Sequence, residues 1–198
     1  MADVVSPLDN HLAAGRPGHG EQPAVSLSEV REHTLFQLAA WPETIAQTGE
    51  VAAQTLGLSA IPGPGQVTTG SNGTLMRVEP LKWWLVAEGS TASAPAAILP
   101  EEGNFLDLSH SRTWLKVSGK KAEVLLNHFL PIDLREGSFP TGSVASTAFH
   151  HIGVTLWRAE DDINLLLPRS FAASLWQMLC ESAMQYGVAV RAYRKKER

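Results

Sequence analysis

Asp107-Leu108-Ser109, followed by Thr113-Trp114-Leu115-Lys116-Val117-Ser118-Gly119, is the stretch from which the rest of the chain is organised. The seven residues from Thr113 predict a short strand that ends in a glycine turn. Residues 120–129 predict a helix, because Ala122, Leu125, Leu126 and Phe129 fall at i, i+3, i+4 and i+7 on one apolar stripe. Pro131-Ile132-Asp133-Leu134-Arg135-Glu136-Gly137 leaves that helix. Three strand-like runs follow, at 144–149, 154–158 and 163–167, and Pro168-Arg169 leads into a long final helix.

The first half repeats this order. Residues 34–40 predict a strand. Trp41-Pro42 opens a helix with Trp41, Ile45, Ala52 and Leu56 on one side, and Gly57 stops it. Strands are expected at 67–69, 74–78 and 83–88. Thr34 to Trp83 spans 49 positions and Thr113 to Ile163 spans 50. The expectation is therefore an α+β fold built from two βαββ-type halves, about 25–89 and 104–192. The halves should form a shared antiparallel or mixed sheet with helices packed on it. Residues 89–103, rich in Ser, Ala and Pro, connect them. Residues 1–24 form an arm without apolar periodicity, either mobile or laid against a partner. Residues 188–193 close the domain as a strand, and 193–198 are a basic, solvated tail.

Composition narrows the function classes. The chain has 198 residues, 44% of them hydrophobic, which suits one compact domain with a true core. A net charge of -4 argues against nucleic-acid binding. A single cysteine fits a reducing compartment, and no signal peptide or membrane-length apolar run is present, so a cytoplasmic location is expected.

Candidate chemistry is sparse. Asp107, Ser109 and His110 are close in sequence, but no nucleophile elbow accompanies them, and a backbone-capping role is the better reading. His150-His151 sit at a turn and would point to opposite sides of an extended chain. His11, His19, His33 and His128 show no metal-ligand spacing, and Gly70-Ser71-Asn72-Gly73 is a turn rather than a phosphate loop. The residues thus point to no catalytic, cofactor-binding or metal site on this chain. The tryptophans are the remaining signal. Trp83-Trp84 place one ring on each face of a strand. The final helix carries a core stripe (Phe171, Leu175, Met178, Leu179, Tyr186) and a second apolar stripe nearly opposite (Ala173, Trp176, Cys180, Met184). Trp84, Trp176, Cys180 and Met184 are therefore the candidate partner contacts, the alternative being that the tryptophans are all core and the chain's own second half wraps the helix.

The run Asp107-Leu108-Ser109, Val117, Gly119, Ala122, Leu126 resembles the first domain of the glycine-cleavage T-protein and its folate-binding relatives. Three further segments bring the chain nearer one branch of that group, the gamma subunits of heterotetrameric sarcosine oxidase. They are Pro131-Ile132-Asp133-Leu134, Phe139-Pro140-Thr141-Gly142 and the run from Pro168-Arg169-Ser170 to Trp176. The resemblance runs from about Val25 to Ala192. It implies a folate-binding-domain-like fold and a non-catalytic role in a complex that oxidatively demethylates sarcosine to glycine. The other products are hydrogen peroxide and, with tetrahydrofolate, 5,10-methylenetetrahydrofolate. It further implies alpha, beta and delta partner subunits that hold FAD, FMN, NAD, tetrahydrofolate and zinc. The alternative is a stand-alone folate-binding or aminomethyltransferase-like protein.

Overall fold

The computed structural model describes residues 5–11, 23–89 and 98–192. The rest of the anticipated arm, the middle of the connector and the basic tail lie outside the described residues. In chain order the first half forms β1 (Val25–Val30), β2 (His33–Ala40), α1 (Ile45–Thr55, entered through a 3-10 turn at Pro42–Thr44), β3 (Val67–Gly70), β4 (Gly73–Glu79) and β5 (Lys82–Glu88). The second forms β6 (Gly103–Asp107), β7 (Arg112–Ser118), α2 (Ala122–Leu126), β8 (Val144–Phe149), β9 (Ile152–Arg158) and β10 (Asp162–Pro168). It then adds α3 (Ala172–Ala183), flanked by 3-10 turns, and β11 (Val188–Ala192).

The α+β class and the twofold repeat are present. The single shared sheet is not. The chain divides into two units, one of Met1–Arg31, Ser111–Thr141 and Ser146–Arg198, the other of Glu32–His110 and Gly142–Ala145. The first unit holds a six-stranded sheet ordered β11-β1-β7-β10-β9-β8, and the second a five-stranded sheet ordered β3-β4-β5-β2-β6. The physical reason is edge pairing. The side of β2 away from β5 is filled by β6, and the side of β7 away from β10 is filled by β1. Neither central strand keeps an open ladder on which a common sheet could be built. Each half of the sequence sends its first strand into the other half's sheet.

In the Glu32–His110 unit, α1 packs on one face of its sheet. Phe36, Leu38, Ala40, Leu75, Trp83 and Leu85 meet Ala52, Ala53 and Leu56 there. Gly49 makes that approach possible, since a Cβ there would stand 3.3 Å from the Trp83 ring. In the other unit, β1 aligns Leu27 with Val117 and Glu29 with Leu115, so Glu29 shares the face of Leu27 and Val117. β11 lies parallel to β1. α2 is shorter than its apolar stripe. Residues 127–129 continue as turns ahead of Pro131, which disfavours helix at the preceding residue.

The arm needs one correction. Residues 5–11 lie on their own unit, and Leu8 is fully buried. This segment was illegible because a single buried leucine has no period.

Gly119 explains one of the motif positions. Its φ is +104°, and an added Cβ would lie 2.4 Å from the Ala24 carbonyl oxygen, where the chain enters β1. Gly119→Ala is expected to cost about 2–4 kcal/mol through strain and displaced backbone. Urea unfolding measures this; unchanged stability would contradict the close approach.

Candidate functional site

The motif segments build backbone clamps. At Asp107-Leu108-Ser109 the chain leaves β6 for the other sheet. The Ser109 amide donates to Asp107 Oδ1 at 2.9 Å, the Leu35 amide donates to Ser109 Oγ at 3.0 Å, and the Leu108 amide donates to the Leu35 carbonyl at 2.8 Å. The carboxylate and hydroxyl complete the ladder where the strand ends, which is the capping role read from the sequence.

The second clamp is Arg158, near the end of β9, with its side chain 11% exposed. Its Nε donates to the Phe139 carbonyl at 2.6 Å and its Nη2 to the Leu134 carbonyl. Its Nη1 pairs with Glu123 of α2 at 2.9 Å and reaches Glu136 at 3.5 Å. One guanidinium thus ties the loop carrying both proline motifs to a strand and a helix, using its fork of donors. Leu134 and Phe139 bury their side chains at the two carbonyls it holds. Asp133 accepts from the Arg135 guanidinium, the Arg135 amide and Ser138 Oγ, and these bonds hold its carboxyl well below the usual carboxylate range.

Arg169, of the third motif, donates through its side chain to the Val5 carbonyl and through its amide to Ser111. It helps seat residues 5–11. Asp9 pairs with Arg31 at 2.7 Å, and Ser6 Oγ donates to Glu29 Oε1 at 2.5 Å. Glu29 is 4% exposed on the core face of β1, and burial pushes its carboxyl up from the ordinary value, against the opposing pull of Ser6 and Arg31. Arg158, Glu29 and Leu8 all escaped the sequence reading. An arginine closing a strand and a glutamate on the apolar face of Val25 and Leu27 were the available signals.

The candidate partner contacts separate. Trp84 belongs to the Glu32–His110 unit and is 8% exposed, with its Nε1 donating to Gln37 Oε1 at 3.0 Å. Trp176 is 2% exposed and donates to the His11 carbonyl at 3.2 Å. Both are corrections: the chain itself shields these rings and satisfies their N–H groups, so neither needs a partner to cover it. Along the same stripe of α3, Cys180 is half-buried and Met184, just past its end, is exposed. Burial and the neighbouring Glu181 push the Cys180 thiol up to about 11, so it stays protonated at neutral pH.

Other candidates are turns or small sites. His150-His151 cap the β8–β9 hairpin, with His150 at φ +54°. His128 binds Ser182 and Tyr186 beside α3. Among the described residues no group of three His, Cys, Asp or Glu side chains could hold a metal. A cleft of about 80 Å³ lies between Ser118, Glu123 and Arg158. Small-molecule sites run to roughly 300–1,000 Å³.

Comparison with known proteins fits this architecture. The chain is 31% identical over 187 residues to the sarcosine oxidase subunit gamma of Corynebacterium sp. strain U-96, covering 90% of each. It is 30% identical over 165 residues to the gamma subunit from Arthrobacter sp., covering 81% of this chain and 80% of the other. A chain of the heterotetrameric sarcosine oxidase from Corynebacterium sp. U-96, solved with pyrrole 2-carboxylate, superposes with a TM-score of 0.78 at 28% identity, over 90% of this chain and 94% of that one. The glycine cleavage system aminomethyltransferase T of Bartonella henselae shares the fold, with a TM-score of 0.66 at 16% identity, over 95% of this chain and 59% of that one. No family profile matches the chain.

Two outcomes follow from the clamps. Arg158→Met strands two carbonyls and Glu123, and should cost about 2–4 kcal/mol in chemical denaturation, with faster amide exchange at residues 133–141. Stability within about 0.5 kcal/mol of wild type, the range of an ordinary surface substitution, would contradict the clasp. Glu29, with its native pKa raised, favours the folded state most when protonated and loses that contribution as pH rises through its native value. Glu29→Gln should therefore gain stability relative to wild type as pH rises from about 4 to 7, read as a difference in melting temperature. A pH-independent difference would contradict the buried carboxyl.

Proposed function

The chain belongs to the sarcosine oxidase gamma-subunit family, and from that premise we propose that it is the non-catalytic gamma subunit of a heterotetrameric sarcosine oxidase. The single observation carrying this reading is the match to gamma subunits over nine-tenths of both chains. In the proposed complex, sarcosine, oxygen and tetrahydrofolate become glycine, hydrogen peroxide and 5,10-methylenetetrahydrofolate. The alpha, beta and delta subunits would hold FAD, FMN, NAD, tetrahydrofolate and zinc. No described helix is long and apolar enough to cross a membrane, and we assign the complex to the cytoplasm.

The clamps support this division of labour. The motif residues that mark the family are engaged through backbone contacts: Ser109 with Leu35, Leu134 and Phe139 through the carbonyls that Arg158 holds, and Arg169 with Val5 and Ser111. Residues so engaged set shape rather than reactivity. A subunit of fixed shape stabilises its partners by binding their folded state alone, to the extent of its affinity. Of the four contact candidates, Met184 and the exposed side of Cys180 remain available, and we assign partner contact there.

A stand-alone folate-binding or aminomethyltransferase-like protein is the second reading, favoured by the fold shared with aminomethyltransferase T. The match spans 59% of that protein.

Coexpression with the large oxidase subunits tests the reading by size-exclusion chromatography. The expected result is co-elution with a flavin-coloured complex and a raised melting temperature of that complex. A colourless species that elutes alone in the presence of those subunits, and that binds tetrahydrofolate, would overturn it in favour of the second reading.

A further inference from the structure

Trp41 is 52% exposed, and the helix start does not explain it. It occupies the N-cap of the 3-10 turn that leads into α1, a position favouring Ser, Thr, Asp or Asn. Its ring is nonetheless held. Nε1 donates to the Pro100 carbonyl at 2.9 Å, and the Trp41 amide donates to Thr44 Oγ1 at 3.1 Å. The segment that receives it is fixed in turn. Thr44 and the buried Thr48 both donate to the Glu102 carbonyl, and Glu102 Oε2 accepts the Leu99 amide at 3.3 Å. Leu99, 56% exposed, directly precedes the Pro100 that receives Trp41, and its backbone is held through Glu102.

The result is an apolar knob whose one polar atom is already satisfied. An indole in this state offers a partner its ring without a hydrogen bond to replace, and it has little rotamer freedom left to lose. Its rim is acidic. Glu43 follows Trp41 by two positions and Glu101 follows Pro100; both are exposed, and neither has an ion pair among the described residues. Lys82, opposite Ala39 on the neighbouring strand, is occupied by Glu79 at 2.8 Å.

We propose that the Trp41–Leu99 knob is a docking anchor for a larger subunit of the oxidase, seated in an apolar pocket rimmed by Lys or Arg. This rests on the reading of the chain as a subunit. Charge decides against a second copy as occupant. A twofold contact would set Glu43 and Glu101 against themselves, on a chain of net charge -4. A basic rim instead gains from both carboxylates and speeds encounter at low salt.

The test measures binding of the purified chain to the flavin-bearing subunits expressed without it. Trp41→Ala should weaken binding about 30-fold or more, the range of an interface anchor, while Trp41→Phe retains most of the affinity. The double variant Glu43→Lys with Glu101→Lys alters two exposed groups with no ion pair among the described residues and leaves the fold intact. It should weaken binding about 10-fold and remove most of its salt dependence. Wild-type affinity in both Trp41→Ala and the double lysine variant would overturn the anchor while leaving the subunit reading in place. Self-association of the chain that Trp41→Ala abolishes would overturn it in favour of a second copy. Failure of the wild-type chain to bind those subunits at all would remove the subunit reading and the anchor together.

Discussion

The structure depends on how two strands find their ladders. β1 and β2 are separated by two residues, Arg31 and Glu32, the spacing of a tight hairpin. They do not pair with each other. β1 joins β7 and β11, and β2 joins β5 and β6. The second crossing, from β6 to β7, occurs at residues 108–111. These two short passages decide that the chain forms two sheets. The matching orders β3-β4-β5-β2 and β8-β9-β10-β7, each extended by the other half's first strand, follow from them, and β11 lies beyond β1 in the larger sheet.

Several family-marking residues gather where that exchange has to be enforced. Ser109 and Asp107 bind the backbone at the second crossing. Gly119 lets the end of β7 pass against Ala24, just before β1 begins. Arg169 holds Ser111, the last residue of the crossing, and Val5 of the segment whose His11 carbonyl accepts from Trp176. Each sheet also carries a tryptophan–amide bond between its central strands: Trp84 to Gln37 across β5 and β2, and Trp114 to Asn164 across β7 and β10. The polar atoms are spent on topology. That is the physical sense in which this chain serves as a shaped subunit.

The sequence was most informative where periodicity carries the signal. Strands at 144–149 and 163–167, the turn at His150 and the repeat spacing were all visible because apolar alternation and turn residues mark them locally. β1 and β6 were not anticipated as strands, and one shared sheet was expected in place of two, since a strand's partner is set by a ladder far away in sequence. Trp176 was read as outward-facing because a helix stripe gives direction but not cover; its cover is a segment with one buried leucine. Trp84 failed in the same way. Its Gln37 partner lies opposite it in the β2–β5 register, visible only once that pairing is known. Trp41 went unnoticed as a surface feature, because its fixed exposure depends on Pro100, 59 residues along the chain.

Strand pairing is the claim on which the rest stands, and cross-strand nuclear Overhauser effects between backbone protons test it most directly. The account predicts contacts between Leu27 and Val117 and between Leu38 and Phe105, with none linking β1 to β2. A ladder of contacts between residues 25–30 and 33–40, the pattern of a local hairpin, would contradict it.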